Sequence, residues 1–113
     1  MLKRIYIAGA YSADNVLNVL NNIRKGIRAS TELLLAGFAP FCPFLDYQFQ
    51  LMLRENETLT VEDYYQYSIA WLEVSDAVLV LPDYKNSKGT LAEIKKAKEL
   101  NIPVYYNFKD LLI

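Results

Sequence analysis

The 113-residue chain contains no histidine. That absence excludes Ser-His-Asp and Cys-His catalysis, an imidazole base, and His-ligated zinc or iron. Its one cysteine, Cys42, has no partner for an internal disulfide, which points to a reducing, cytoplasmic setting. Apolar runs near the roughly 18 residues that span a bilayer are missing too, and no membrane partner is expected. Charge of one sign is also lacking. Twelve basic against thirteen acidic residues leave a net charge of −1, no field for gripping a nucleic acid polymer. Any chemistry falls to carboxylates, tyrosines, hydroxyls, lysines or backbone amides; no metal and no cofactor is expected.

Hydrophobic residues make up 53% of the chain, enough for one compact domain over residues 1–113 without staples. Met1-Leu2-Lys3-Arg4 leads directly into a strand-like run, so no signal peptide is expected at this start. No internal repeat, low-complexity stretch or linker interrupts the pattern.

Arg4 to Ala8 is a short β-branched run suited to a buried parallel strand, ended by Gly9. Ser12 or Asp14 then caps a helix whose apolar residues Val16, Leu20, Ile23, Ile27 and Leu34 recur at helical spacing, with Gly37 just past its end. Phe38 to Phe41 is a second strand. A helix is expected from about Asp46 to Arg54, and another from the Thr60/Asp63 cap to about Val74. Ala77 to Leu81 is the clearest strand. Ser87 or Asn86 caps a helix to about Leu100, and Val104 to Tyr106 is the last strand before an apolar tail ending at Ile113.

Strands alternating with helices predict an α/β fold: a flavodoxin- or Rossmann-like three-layer sandwich around a parallel sheet of four to five strands. Ligands of such folds bind beyond the carboxyl ends of the strands. Gly9 to Ala13, Cys42 to Tyr47, Asp83 to Thr90, and Tyr106-Asn107 fall on that edge.

Ser87-Lys88-Gly89-Thr90-Leu91-Ala92-Glu93 stands out among them. A glycine in a first helical turn costs up to about 1 kcal/mol relative to alanine, and suits a backbone that something must approach. Free amides, the helix dipole and the Ser87 and Thr90 hydroxyls form an anion cradle, with Glu93 one and a half turns further in. A plain N-cap followed by a solvent-facing acid fits the same spacing. Gly9-Ala10-Tyr11-Ser12 carries neither three glycines nor a Walker lysine, so nucleotide-triphosphate chemistry is not expected. Tyr11 and Ser12 either make a tight turn or line a sugar pocket. Asp46, Asp63 and Asp83 fall in or near the cleft, though Asp63 also suits a cap and Asp83 a strand end. Nine aromatics between Phe38 and Trp71 are assigned mainly to the core or a subunit interface.

In order and spacing these segments resemble the nucleoside 2-deoxyribosyltransferase-like superfamily, which includes the 2′-deoxynucleoside 5′-phosphate N-hydrolases. The matching pieces are Arg4 to Gly9 with Tyr11-Ser12, Ala39 to Asp46, Ala70-Trp71-Leu72 through Ala77, and Ser87-x-Gly89-x-x-x-Glu93 followed by Ile102-Pro103-Val104. The resemblance implies a small-molecule nucleoside or nucleotide substrate and N-glycosidic bond cleavage or transfer. Glu93 would be the nucleophile, Ser87 a phosphate-binding residue, and Ser87, Gly89 and Thr90 the seat of a phosphate or 5′-hydroxyl. Carboxylate-only glycosyl transfer suits a chain without histidine.

The sequence departs from that pattern at Ser68, where the nucleotide hydrolases carry an aspartate that helps the base depart. Serine is a poor general acid. Asp46, Asp63 or Tyr64 substitutes, or the leaving group needs no proton, or the chain binds a nucleotide without cleaving it. The aromatic content and the resemblance together imply a homodimer or higher homo-oligomer, with the interface between Asp46 and Trp71.

Overall fold

The computed structural model describes residues 1–112. β1 (Arg4–Ala8), β2 (Ala39–Phe41), β3 (Ala77–Val80) and β4 (Val104–Tyr105) form one sheet in the order β2-β1-β3-β4, parallel throughout. The chain steps outward from β1 to β2, then crosses back to the other side of β1 to lay down β3. That reversal opens a crevice at the carboxyl ends of β1 and β3.

Alternation along β1 sends Ile5 and Ile7 to one face and Tyr6 and Ala8 to the other. On the first face, Ile5, Ile7 and Leu79 pack against Ile23 and Leu33 of α1 (Val16–Leu35), with Phe108 and Leu111 of α5 (Phe108–Leu111) at the margin. On the second, Tyr6, Ala8, Val78 and Val80 pack against Ile69 and Leu72 of α3 (Val61–Leu72) and Ile94 and Ala97 of α4 (Lys88–Glu99). The α/β three-layer sandwich read from the sequence is the architecture found, with the sheet at the four-strand end of the expected range.

Three boundaries differ from the sequence expectation. The α1 cap is Asn15, not Ser12 or Asp14: its extended backbone lets Oδ1 accept the Asn18 amide at 2.9 Å. The helix expected from about Asp46 to Arg54 is found slightly shorter, as α2 (Tyr47–Met52), and is entered through a 3₁₀ turn that Pro43 starts over Pro43–Asp46. The apolar tail folds into α5, and Ile113 lies outside the described residues. Gly37 adopts φ +92°, the left-handed conformation its position required. The aromatic stretch is only partly core: Phe44 is buried, whereas Phe49, Tyr67 and Trp71 remain 47%, 36% and 49% exposed. No helix among the described residues is long and apolar enough to cross a membrane.

Candidate active site

Tyr6 is the one residue of β1 that brings a polar tip into the core. It is fully buried, and its hydroxyl donates a hydrogen bond to the Glu93 carboxylate on α4. Burial outweighs that donation and, with the Asp46 charge nearby, lifts the Glu93 carboxyl to about 7. Burial and the adjacent Glu93 charge hold the Tyr6 phenol well above its usual range, so it remains a donor. Ser68 of α3, also buried, lies near the same phenol and moderates its rise. The position where the resemblance implies an aspartate therefore carries a hydroxyl against Tyr6.

The start of α4 is built as its sequence suggests. Ser87 is the cap: its Oγ accepts the Thr90 amide at 3.2 Å and the Thr90 hydroxyl at 2.8 Å. Thr90 is buried beneath it. A side chain at Gly89 would meet nothing within 4 Å, so protein packing does not demand glycine there. What the glycine does is leave the first turn open. The amides of Lys88 and Gly89 belong to that turn and have no partner within the helix.

The opposite wall comes from the segment after β2. Phe44 is pressed against α1 at Gly26, where a Cβ would stand 2.1 Å from the ring. This anchors the 3₁₀ turn and with it Asp46, whose half-buried carboxyl is raised to about 6 by burial. Tyr11 stacks on Phe44 with ring centroids 6.1 Å apart, and its carbonyl accepts from Asn22 at 3.1 Å. Burial first, then the Asp46 charge, lifts the Tyr11 phenol to about 12.

Glu93 and Ser68 thus lie by Tyr6, and the Asp46 charge reaches Tyr6, Tyr11 and Glu93, while Ser87 and Gly89 sit at the start of α4 above the buried Thr90. Ser12 is exposed on the first loop. Other sequence candidates have different roles. Gly9 is explained by packing, since a Cβ would lie 2.7 Å from the Leu81 side chain. Asp83 clamps the first loop, accepting the Ala10 amide at 3.4 Å and pairing with Lys25 at 3.8 Å. Asp63, expected as an acid, closes a capping box instead: its carboxylate accepts from the Thr60 amide and hydroxyl, which hold it below its ordinary value. Tyr64 donates to Gln50, outside the Tyr6–Glu93 pair.

Tyr6 was missed by sequence reasoning. The available signal was a phenol set between isoleucines in a strand that buries both faces. Among the described residues, no three carboxylate or thiol side chains are placed to hold a metal ion. Open grooves of about 520 Å³ beside Leu91 and Lys95, and of about 510 Å³ beside Arg28 and Pro82, lie apart from Glu93.

Residues 3–107 match the family model described as "Domain of unknown function (DUF7768)". The chain belongs to the DUF7768 family. Among solved structures this DUF7768 member is similar to a 2-deoxyribosyltransferase from the psychrotolerant bacterium Bacillus psychrosaccharolyticus. The TM-score is 0.63 at 19% identity, over 89% of this chain and 69% of that one. The fold of this DUF7768 protein is therefore nucleoside 2-deoxyribosyltransferase-like. No curated protein sequence matches it.

Proposed function

We propose that the protein cleaves or transfers the N-glycosidic bond of a nucleoside or nucleoside 5′-monophosphate, with Glu93 as nucleophile. The observation that carries this is the Glu93 carboxylate held by the buried Tyr6 hydroxyl beside the open first turn of α4. The 2-deoxyribosyltransferase-like fold supports the same reading. A Glu93 oxygen attacks the anomeric carbon as the carbon–nitrogen bond breaks, and the bonding pair leaves with the base. The glycosyl ester on Glu93 is then resolved by water, giving hydrolysis, or by a second base, giving transfer. Tyr11 and Ser12 line the sugar. The Lys88 and Gly89 amides, with the Ser87 hydroxyl seated on the buried Thr90 hydroxyl, receive the 5′-hydroxyl or phosphate.

The test is incubation with a panel of nucleosides and 5′-monophosphates, followed by chromatography of released base. Release by wild type and its loss in Glu93→Gln support the reading. Release at equal rates from both proteins contradicts the nucleophile.

Ser68 favours a second reading, a protein that binds or sequesters a nucleotide and leaves it intact. Calorimetric binding with recovery of unchanged ligand selects this reading over the enzyme.

A further inference from the structure

With Ser68 where the resemblance implies an aspartate, a leaving base that needs a proton must take it from another group if Glu93 is the nucleophile. We propose that Asp46 is the general acid that protonates the departing base, and the base that accepts a proton when the glycosyl ester is resolved. The proposal rests on the nucleophile reading above and adds a residue and a proton path to it.

Topology puts Asp46 in place. β2 pairs with β1 with Phe41 opposite Tyr6, so the chain leaving β2 runs beside the loop leaving β1. The Pro43–Asp46 turn lies on that path, fixed by Phe44 between Gly26 and the Tyr11 ring. The other nearby acids are engaged elsewhere. Asp63 is held by its cap, Asp83 by Ala10 and Lys25, and Asp76 by the Arg4 amide at 2.7 Å on the opposite edge of the sheet. Asp46 accepts no such bond, and its charge is felt by Tyr6, Tyr11, Tyr64 and Glu93. Burial raises the Asp46 carboxyl to about 6, above an ordinary aspartate and nearer the range in which a carboxyl can pass a proton.

The steps balance. As Glu93 bonds to the anomeric carbon, the carbon–nitrogen pair moves onto the base, and the Asp46 proton passes to a ring nitrogen of that base. The products are a glycosyl ester, a neutral base and an Asp46 carboxylate. Water then attacks the anomeric carbon and gives its proton to Asp46 while the Glu93 carboxylate departs. A second base attacking through a protonated ring nitrogen returns its proton by the same route.

The experiment compares 2′-deoxyguanosine with 7-methyl-2′-deoxyguanosine, each as nucleoside and as 5′-monophosphate, in a single turnover. The methylated base is already cationic and leaves without a proton. Asp46→Asn is expected to slow guanine release by about 10²-fold or more, the usual weight of general acid catalysis. It is expected to release 7-methylguanine in an unslowed burst of one per site, after which glycosyl-enzyme accumulates. Asp46→Glu restores part of the guanine release. Glu93→Gln removes release from both substrates. Equal slowing of both substrates in Asp46→Asn makes Asp46 a positioning residue and overturns the proposal, as does no slowing of either. In both cases loss of release in Glu93→Gln leaves the nucleophile reading standing. A wild type that releases neither base overturns the two readings together.

Discussion

The Tyr6 hydroxyl reaches from the central strand of the sheet to the Glu93 carboxylate on α4, and it is the one side-chain hydrogen bond between those two layers among the described residues. It holds the carboxylate in a site that burial would otherwise make more hostile to charge. Tyr6→Phe removes the donor without changing the ring. The Glu93 carboxyl then rises further above 7, so the rising limb of the pH–rate profile moves to higher pH and the rate at neutrality falls about tenfold. Steady-state rates of base release between pH 5 and 9 check this. An unmoved limb contradicts it.

The same carboxyl sets a pH dependence of stability. Its value is raised from about 4.5 to about 7, so the folded state keeps a proton that the unfolded chain has already released. Stability therefore falls as pH rises through that window, by about 3 kcal/mol, and stays low above it. Thermal melts of wild type are expected to drop between pH 5 and 8. Glu93→Gln is expected to melt higher than wild type at pH 8 and to show a flatter profile. Parallel profiles for the two proteins rule out a raised Glu93.

Gly26 supports the second carboxyl from a distance. A Cβ there would enter the Phe44 ring, and Phe44 seats the turn that ends at Asp46. Gly26→Ala is expected to cost about 1–3 kcal/mol through overpacking, and to slow base release by shifting Asp46. Denaturant unfolding measures the first effect and the release assay the second. Unchanged stability places Phe44 elsewhere.

How much of this was legible in the sequence depends on the range of the interaction. The α4 cap was narrowed to Ser87 or Asn86, of which Ser87 is the one found. The Arg4–Ala8 strand, the Thr60/Asp63 box and the left-handed Gly37 rest on residues a few positions apart, and they were readable directly. The α1 cap was not, because Ser12, Asp14 and Asn15 are all good caps and only backbone geometry selects Asn15. The Tyr6–Glu93 pair joins residues 87 positions apart and depends on strand phase and helix rotation together. The burial of Asp46 depends on Phe44 meeting Gly26, which no local pattern announces.

Phe41 stacks on Trp71 and tilts against Tyr67, which meets Phe49 edge-on, and the rings of Phe49, Tyr67 and Trp71 are exposed. A second copy of the chain is expected to cover them, giving a homodimer or larger assembly. Light scattering at micromolar concentration is expected to report at least a dimer, with Trp71→Glu shifting it toward monomer. A monomeric wild type contradicts this assembly.

Intact-mass spectrometry of the protein quenched during turnover tests the nucleophile most directly. Wild type is expected to carry one added pentosyl group, mapped by peptide fragmentation to Glu93, and Glu93→Gln to carry none. Base release with no adduct on wild type, or an adduct on another residue, contradicts the Glu93 mechanism.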